Sequence, residues 1–172
     1  QKLIELYKQM HMDKEYKEEL LFQVFFCVQD SLAHIAKLKE VCEPKEWEQN
    51  RERLLECPSG QSIKLPLLVS EKMFERLLDE VISSGSIYMM DQYEKVLKKA
   101  YPDRMRAAYA AYVKGQAEIV SDRRRYKELM AYLKKIASYP QGRETAGEIA
   151  REWRMLYKRR TAMMDELRKA GL

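Results

Sequence analysis

Apolar residues recur at three-to-four spacing along nearly the whole chain, in stretches closed by proline, glycine or short polar residues, and this predicts a succession of helices. The first stretch runs from Lys2 to Met10 on Leu3, Leu6 and Tyr7, with Asp13 placed to cap the second helix. That second helix carries Tyr16, Leu20, Val24, Cys27 and Val28 as one stripe. Leu21, Phe22, Phe25 and Phe26 widen the stripe almost all round, which predicts a central helix. Asp30 and Ser31 offer a cap to a third helix on Leu32, Ile35, Ala36 and Leu38, and Pro44 opens a fourth on Trp47, Leu54 and Leu55. Cys57, Pro58, Ser59 and Gly60 then break the pattern and predict a loop as far as Pro66.

From Pro66 the spacing continues through Leu67, Leu68, Met73, Phe74, Leu77, Leu78, Val81 and Ile82, and reads as a single helix ending at Ser83, Ser84 and the C-terminal cap Gly85. Ser86 caps the next, on Met89, Met90, Tyr93, Val96 and Leu97, and the step Tyr101, Pro102, Asp103 opens one on Met105, Ala108, Tyr109, Tyr112, Val113 and Ile119. Ser121 and Asp122 cap a helix on Tyr126, Leu129, Met130, Leu133 and Ile136. A turn at Tyr139 to Gly142 separates it from one on Ala146, Ile149, Trp153, Leu156 and Tyr157. The last helix spans about Thr161 to Ala170 on Met163, Met164 and Leu167, with Gly171 as its stop. No stretch alternates with period two, so no sheet is expected.

The predicted fold class is therefore all-α. Pro66, Pro102 and Pro140 stand 36 and 38 residues apart, each ahead of a new apolar stripe, which is the period of helical-hairpin repeats. That period predicts antiparallel helical hairpins stacked as a short right-handed α-solenoid of the TPR or HEAT kind, with an irregular helical bundle as the alternative. One domain over residues 1–172 is expected, with sub-units 1–57 and 66–172 on either side of the 57–66 loop. A start at Gln1 suggests a fragment of a larger protein.

Composition agrees with helices: the chain is 46% hydrophobic and 34% charged, with six Gly and five Pro. No apolar run approaches the roughly 20 residues a membrane span requires, so no membrane partner is expected. Three cysteines, Cys27, Cys42 and Cys57, cannot all pair internally, which points to a reducing, cytoplasmic setting. Charge is uneven. Residues 1–94 hold 12 basic and 18 acidic side chains, and residues 95–172 hold 20 and 9, a gradient suited to steering a partner.

Catalytic signatures are missing: the chain has no glycine-rich phosphate loop, no HExxH and no GxSxG, so no catalytic residues and no cofactor are predicted. The cysteines are 15 residues apart with only His11 and His34 to join them, unlike zinc-binding pairs, and no metal is predicted. His34 lies seven residues after Cys27 and reads as a partly buried polar group beside a core thiol. The more suggestive cluster is basic: Arg123, Arg124, Arg125, Lys127, Lys134 and Lys135, joined by Lys158, Arg159 and Arg160, with Tyr126 and Tyr132 interleaved. Such a patch is a candidate nucleic-acid surface, built for phosphate contacts and base stacking. Tyr109, Tyr112, Tyr126 and Tyr132 are candidates for a protein interface, since tyrosine suits positions with one end buried and one end wet.

Two carboxyl-terminal runs, Arg125 to Ile136 and Tyr157 to Leu167 with its basic stretch followed by an MDEL-like helix, resemble the helical C-terminal region of bacterial SWIM zinc-finger proteins and related helical-repeat proteins. The similarity covers about residues 86–172. The CxC…CxH signature of the zinc module is not present, so no metal ligand carries over. The resemblance implies an α-solenoid accessory region. Its partner would be another protein or another domain of the same polypeptide, with nucleic acid as the alternative.

Overall fold

The computed structural model describes residues 2–26, 31–57 and 61–172, and every regular element among them is a helix. The chain is all-α, with helices contacting mainly their neighbours in sequence, as in a helical bundle or a solenoid-like stack. It divides into two compact units, Gln1–Leu77 and Leu78–Leu172.

The first unit holds α1 (Lys2–Gln9), α2 (Asp13–Phe26), α3 (Ser31–Val41), α4 (Pro44–Glu56) and α5 (Gln61–Ser70), and the boundary falls within α6 (Phe74–Ser83). Among the described side chains of α2 only the stripe Tyr16, Leu20, Val24 is buried, while Phe22 is 52% exposed, so these side chains mark a one-sided helix. Cys27, Val28 and Asp30 lie outside the described residues, as does the side chain of Phe26. In α1 the inward residue is Ile4, with Leu3 and Leu6 exposed and Tyr7 half-buried, so the buried face is turned round from the expected stripe toward Ile4. His34 is buried in α3 beside Ile35.

The loop expected as far as Pro66 is corrected. Residues 58–60 lie outside the described part, but Gln61–Ser70 is helical and Pro66 sits inside it. Proline there removes one helical hydrogen bond, to the carbonyl of Ser62, and the buried Leu65, Leu67 and Leu68 hold the turn together around it. Pro66 therefore does not mark a helix start as Pro102 does at the head of α8, and the 36-residue interval does not separate equivalent points.

The helix expected from Pro66 to Ile82 is two helices. Lys72 adopts φ +56, and the Lys72 and Met73 amides bond back to the Val69 and Leu68 carbonyls at 3.1 and 2.9 Å. This is the left-handed stop usually assigned to glycine. The apolar spacing survives the break, so periodicity does not reveal it.

The second unit contains the rest of α6, then α7 (Ile87–Ala100), α8 (Pro102–Ile119), α9 (Arg123–Ala137), α10 (Gly142–Leu156) and α11 (Thr161–Ala170). Helix α9 touches α8, α10 and α11, and buries the five residues its spacing predicts: Tyr126, Leu129, Met130, Leu133 and Ile136. Ser86 caps α7 and Asp122 caps α9, their side-chain oxygens accepting from the Met89 and Arg125 amides at 3.4 and 3.0 Å. Gly142 is required where α9 turns into α10: a Cβ there would lie 1.8 Å from the Ile136 carbonyl oxygen.

Candidate functional site

Three helices of the second unit meet at one polar cluster. Helical spacing puts Asp91, Glu94 and Lys98 along one face of α7. Opposite them, α8 supplies Tyr109, and α9 with its following turn supplies Tyr132, Lys135 and Tyr139. Asp91 accepts hydrogen bonds from the Tyr109 and Tyr132 hydroxyls at 2.8 and 2.9 Å and from the Lys135 ammonium at 2.7 Å. Lys135 also lies 3.0 Å from Glu94, which accepts from Tyr139 at 2.9 Å. The rings stack around these bonds, Tyr109 with Tyr132 at 6.0 Å, and the Lys98 ammonium caps the Tyr139 ring at 4.1 Å.

The electrostatics are those of a closed, satisfied network. Burial alone would raise the Asp91 pKa, but hydrogen bonds from Lys135, Tyr109 and Tyr132 outweigh it and hold the carboxyl below its ordinary range. Burial likewise opposes the charge on Lys135, and its bonds to Asp91 and Glu94 override that and raise its pKa. Burial, then the adjacent carboxylates, push the Tyr109, Tyr132 and Tyr139 hydroxyls far above the usual phenol value. Phenols held protonated and a lysine held charged are poor bases at neutral pH. The arrangement braces helices.

The basic residues singled out in the sequence separate into two groups. Lys135 and Arg160 are committed to the interior. Arg160 donates to the carbonyls of Ala117, Val120 and Glu118 at 2.5, 3.1 and 3.3 Å, closing the C-terminal end of α8, and its guanidinium lies 4.3 Å over the Tyr157 ring. These are the orphan carbonyls every helix leaves at its end, and a cation there also meets the negative pole of the helix dipole. Arg123, by contrast, is exposed, and lies 3.2 Å from Asp165 and 3.8 Å from the buried Glu166.

The others face outward. Arg124 and Arg125 are exposed with Glu128 at 3.5 and 3.8 Å, and Lys158 and Arg159 are exposed in the turn after α10. Lys127 and Lys134 are exposed on α9 with Ala131 between them, and together with Lys169 of α11 they rim a groove of about 240 Å³. Met130, Ala131 and Ala170 supply its apolar lining. Glu166, bonded by Lys169 at 3.1 Å, closes one side.

Two of the four interface tyrosines are corrected. Tyr109 is fully buried and Tyr126 is 2% exposed, so neither presents a ring to a partner. Tyr126 donates to the Val120 carbonyl at 3.4 Å. Tyr112 and Tyr132 are half-buried and border a cleft of about 20 Å³ between α8 and α9. Sequence reasoning passed over Asp91, Glu94 and the capping role of Arg160. The available signal was the spacing of acids along α7 and of Tyr132 and Lys135 along α9 with Tyr139 in the turn after it, which aligns each set but names no partner.

In the first unit Glu71 plays a similar bracing part. It accepts from Lys39 of α3 at 2.7 Å and from the Trp47 indole of α4 at 3.1 Å, and these bonds outweigh its burial and lower its pKa. Cys42 is half-buried with the Asn50 amide at 3.7 Å from its sulfur, and burial raises the pKa of its thiol. Such a thiol is a poor nucleophile. Among the described residues no helix is long and apolar enough to cross a membrane.

The chain matches no protein-family model, and no curated protein or solved structure shows significant similarity to it.

Proposed function

We propose that this chain is a non-enzymatic helical scaffold that binds a protein, either a separate partner or another domain of the same polypeptide. One observation supports this most strongly. The polar groups best placed for chemistry are consumed in bracing α7, α8 and α9, while the outer side of α9 and α11 keeps an apolar-floored groove among exposed lysines. A groove between two helices, wet at its rim and apolar at its floor, suits a docked side-chain row better than a reacting small molecule. The accessory-region role implied by the likeness to SWIM-associated helical regions is consistent with this reading. Cross-linking the purified, monodisperse chain against its native extract, with mapping of the linked residues, tests it. Reproducible protein links on α9 or α11 are expected, and a folded chain that gives none contradicts it.

A second reading has its own observation: Arg124, Arg125, Lys127, Lys134, Lys158 and Arg159 all remain exposed, and exposed cations are what phosphate backbones engage. Titration of labelled single- and double-stranded oligonucleotides at two salt concentrations decides it. Binding that weakens steeply with salt favours nucleic acid, and undetectable binding removes it.

A further inference from the structure

We propose that the α9–α11 groove receives an acidic amphipathic helix, whose apolar row enters the groove and whose carboxylates meet the lysine rim. The inference rests on the scaffold reading and adds the chemistry of the partner.

Its geometry begins with α9, where Arg124, Lys127, Ala131 and Lys134 fall at spacings of three, four and three and so share one face. The only apolar member of that row is a single methyl group. Ala170 of α11 provides a second small residue beside it, and Met130, 5% exposed, underlies both. Small side chains at the centre let a third helix approach closely, as ridges of one helix seat in the groove of another.

Charge then selects the occupant. Lys127 and Lys134 are exposed on one wall, and Lys169 stands 62% exposed on the other. The one acid lining the groove, Glu166, is 7% exposed and already bonded by Lys169, with Arg123 at 3.8 Å, so it adds little negative field at the mouth. An incoming helix with glutamates flanking a row of leucines or alanines pairs with Lys127 and Lys134 on one wall and meets the exposed, already bonded Lys169 on the other. A basic helix would be repelled. A nucleic-acid backbone would meet the lysines but leave the Ala131, Ala170 and Met130 floor unused, and for that reason peptide is favoured over phosphate.

Fluorescence anisotropy with the full chain tests this, using a set of labelled helical peptides that carry Leu at i, i+3, i+4 and i+7 and Glu at the flanking positions. Charge-reversed peptides with Lys in place of Glu and a single-stranded oligonucleotide serve as comparisons. The acidic peptides are expected to bind and the reversed ones not to. Binding should weaken about tenfold in K127E/K134E, the scale for reversing two rim charges, and by a similar factor in A131W, which fills the groove without altering charge. All three positions are exposed, and thermal melting monitored by circular dichroism verifies that the variants stay folded. The proposal is overturned if no acidic peptide binds, if both variants bind as well as the wild type, or if the oligonucleotide alone binds. Protein cross-links elsewhere on the chain would then leave the scaffold reading standing without this groove. Loss of all cross-links removes both.

Discussion

The ammonium of Lys135 lies 2.7 Å from a carboxylate oxygen of Asp91, 44 residues earlier in the chain. That contact joins α9 to α7, and the Tyr109 hydroxyl on the same oxygen brings in α8. Its consequence is that a lysine which reads in sequence as part of a basic binding patch belongs to the scaffold. The same is true of Arg160. The surface left for partners is correspondingly narrower than the run of basic residues suggests.

If Asp91 is the hub of this cluster, replacing it should cost more than replacing any one donor. Asp91→Ala leaves the buried Tyr109 hydroxyl and the Lys135 charge with fewer partners, and a loss of about 1–3 kcal/mol is expected in urea unfolding. Tyr109→Phe removes only one hydroxyl and should cost less, about 1 kcal/mol. A double substitution that costs no more than Asp91→Ala alone would show that the two act through the same bond.

The pH dependence stems from the shifted groups. Asp91 and Glu71 both have folded pKa values below their ordinary ones, so each favours the folded state above the unfolded carboxyl pKa, at about 4, and that contribution disappears as pH falls through the lower folded value. Lys135 is raised, so its contribution is complete below the unfolded lysine pKa of about 10.4 and disappears as pH climbs through the higher folded value. Stability should therefore fall below about pH 4, and less steeply in D91N. An unfolding series in which D91N and the wild type lose stability in parallel would contradict this.

Arg160 acts at a helix end, so its removal should be felt locally. Arg160→Ala should speed amide hydrogen exchange in the turn around Val120 to Asp122, and lower stability by about 1–2 kcal/mol, the scale of charge-assisted bonds to terminal carbonyls. Arg160→Lys, which keeps the charge but not the forked donors, should recover only part of the loss.

Two backbone positions give opposite expectations. Gly142→Ala drives a methyl into the Ile136 carbonyl oxygen, 1.8 Å from the ideal Cβ, and should destabilise by about 1–3 kcal/mol or more. Lys72→Gly relieves a left-handed side chain at φ +56 and should stabilise by about 0.5–1 kcal/mol. Both are read from thermal or chemical unfolding of the full chain.

The all-α class and most helix positions of the second unit were legible because there the periodic stripe, the caps Ser86 and Asp122, and the stops Gly85 and Gly171 agree with one another. Prediction failed where a local rule was overridden. Pro66 is carried inside a helix by its buried leucine neighbours, and Lys72 ends a helix with no glycine to mark it. The candidate site was only half legible. Spacing along one helix tells which side chains share a face, and Lys127 and Lys134 do stand exposed together on α9. It does not tell which distant helix that face meets, and so Lys135, Arg160, Tyr109 and Tyr126 read as surface when they are bound inward or buried.

The most direct test of the docking account places a photo-reactive benzophenone amino acid at Ala131, on the groove floor, and separately at Glu144, exposed on α10. Irradiation in cells expressing the full chain should give a discrete protein adduct from position 131, lost when K127E/K134E is added, and none from position 144. Equal labelling from both positions, or an adduct from 131 that nuclease removes, would contradict it.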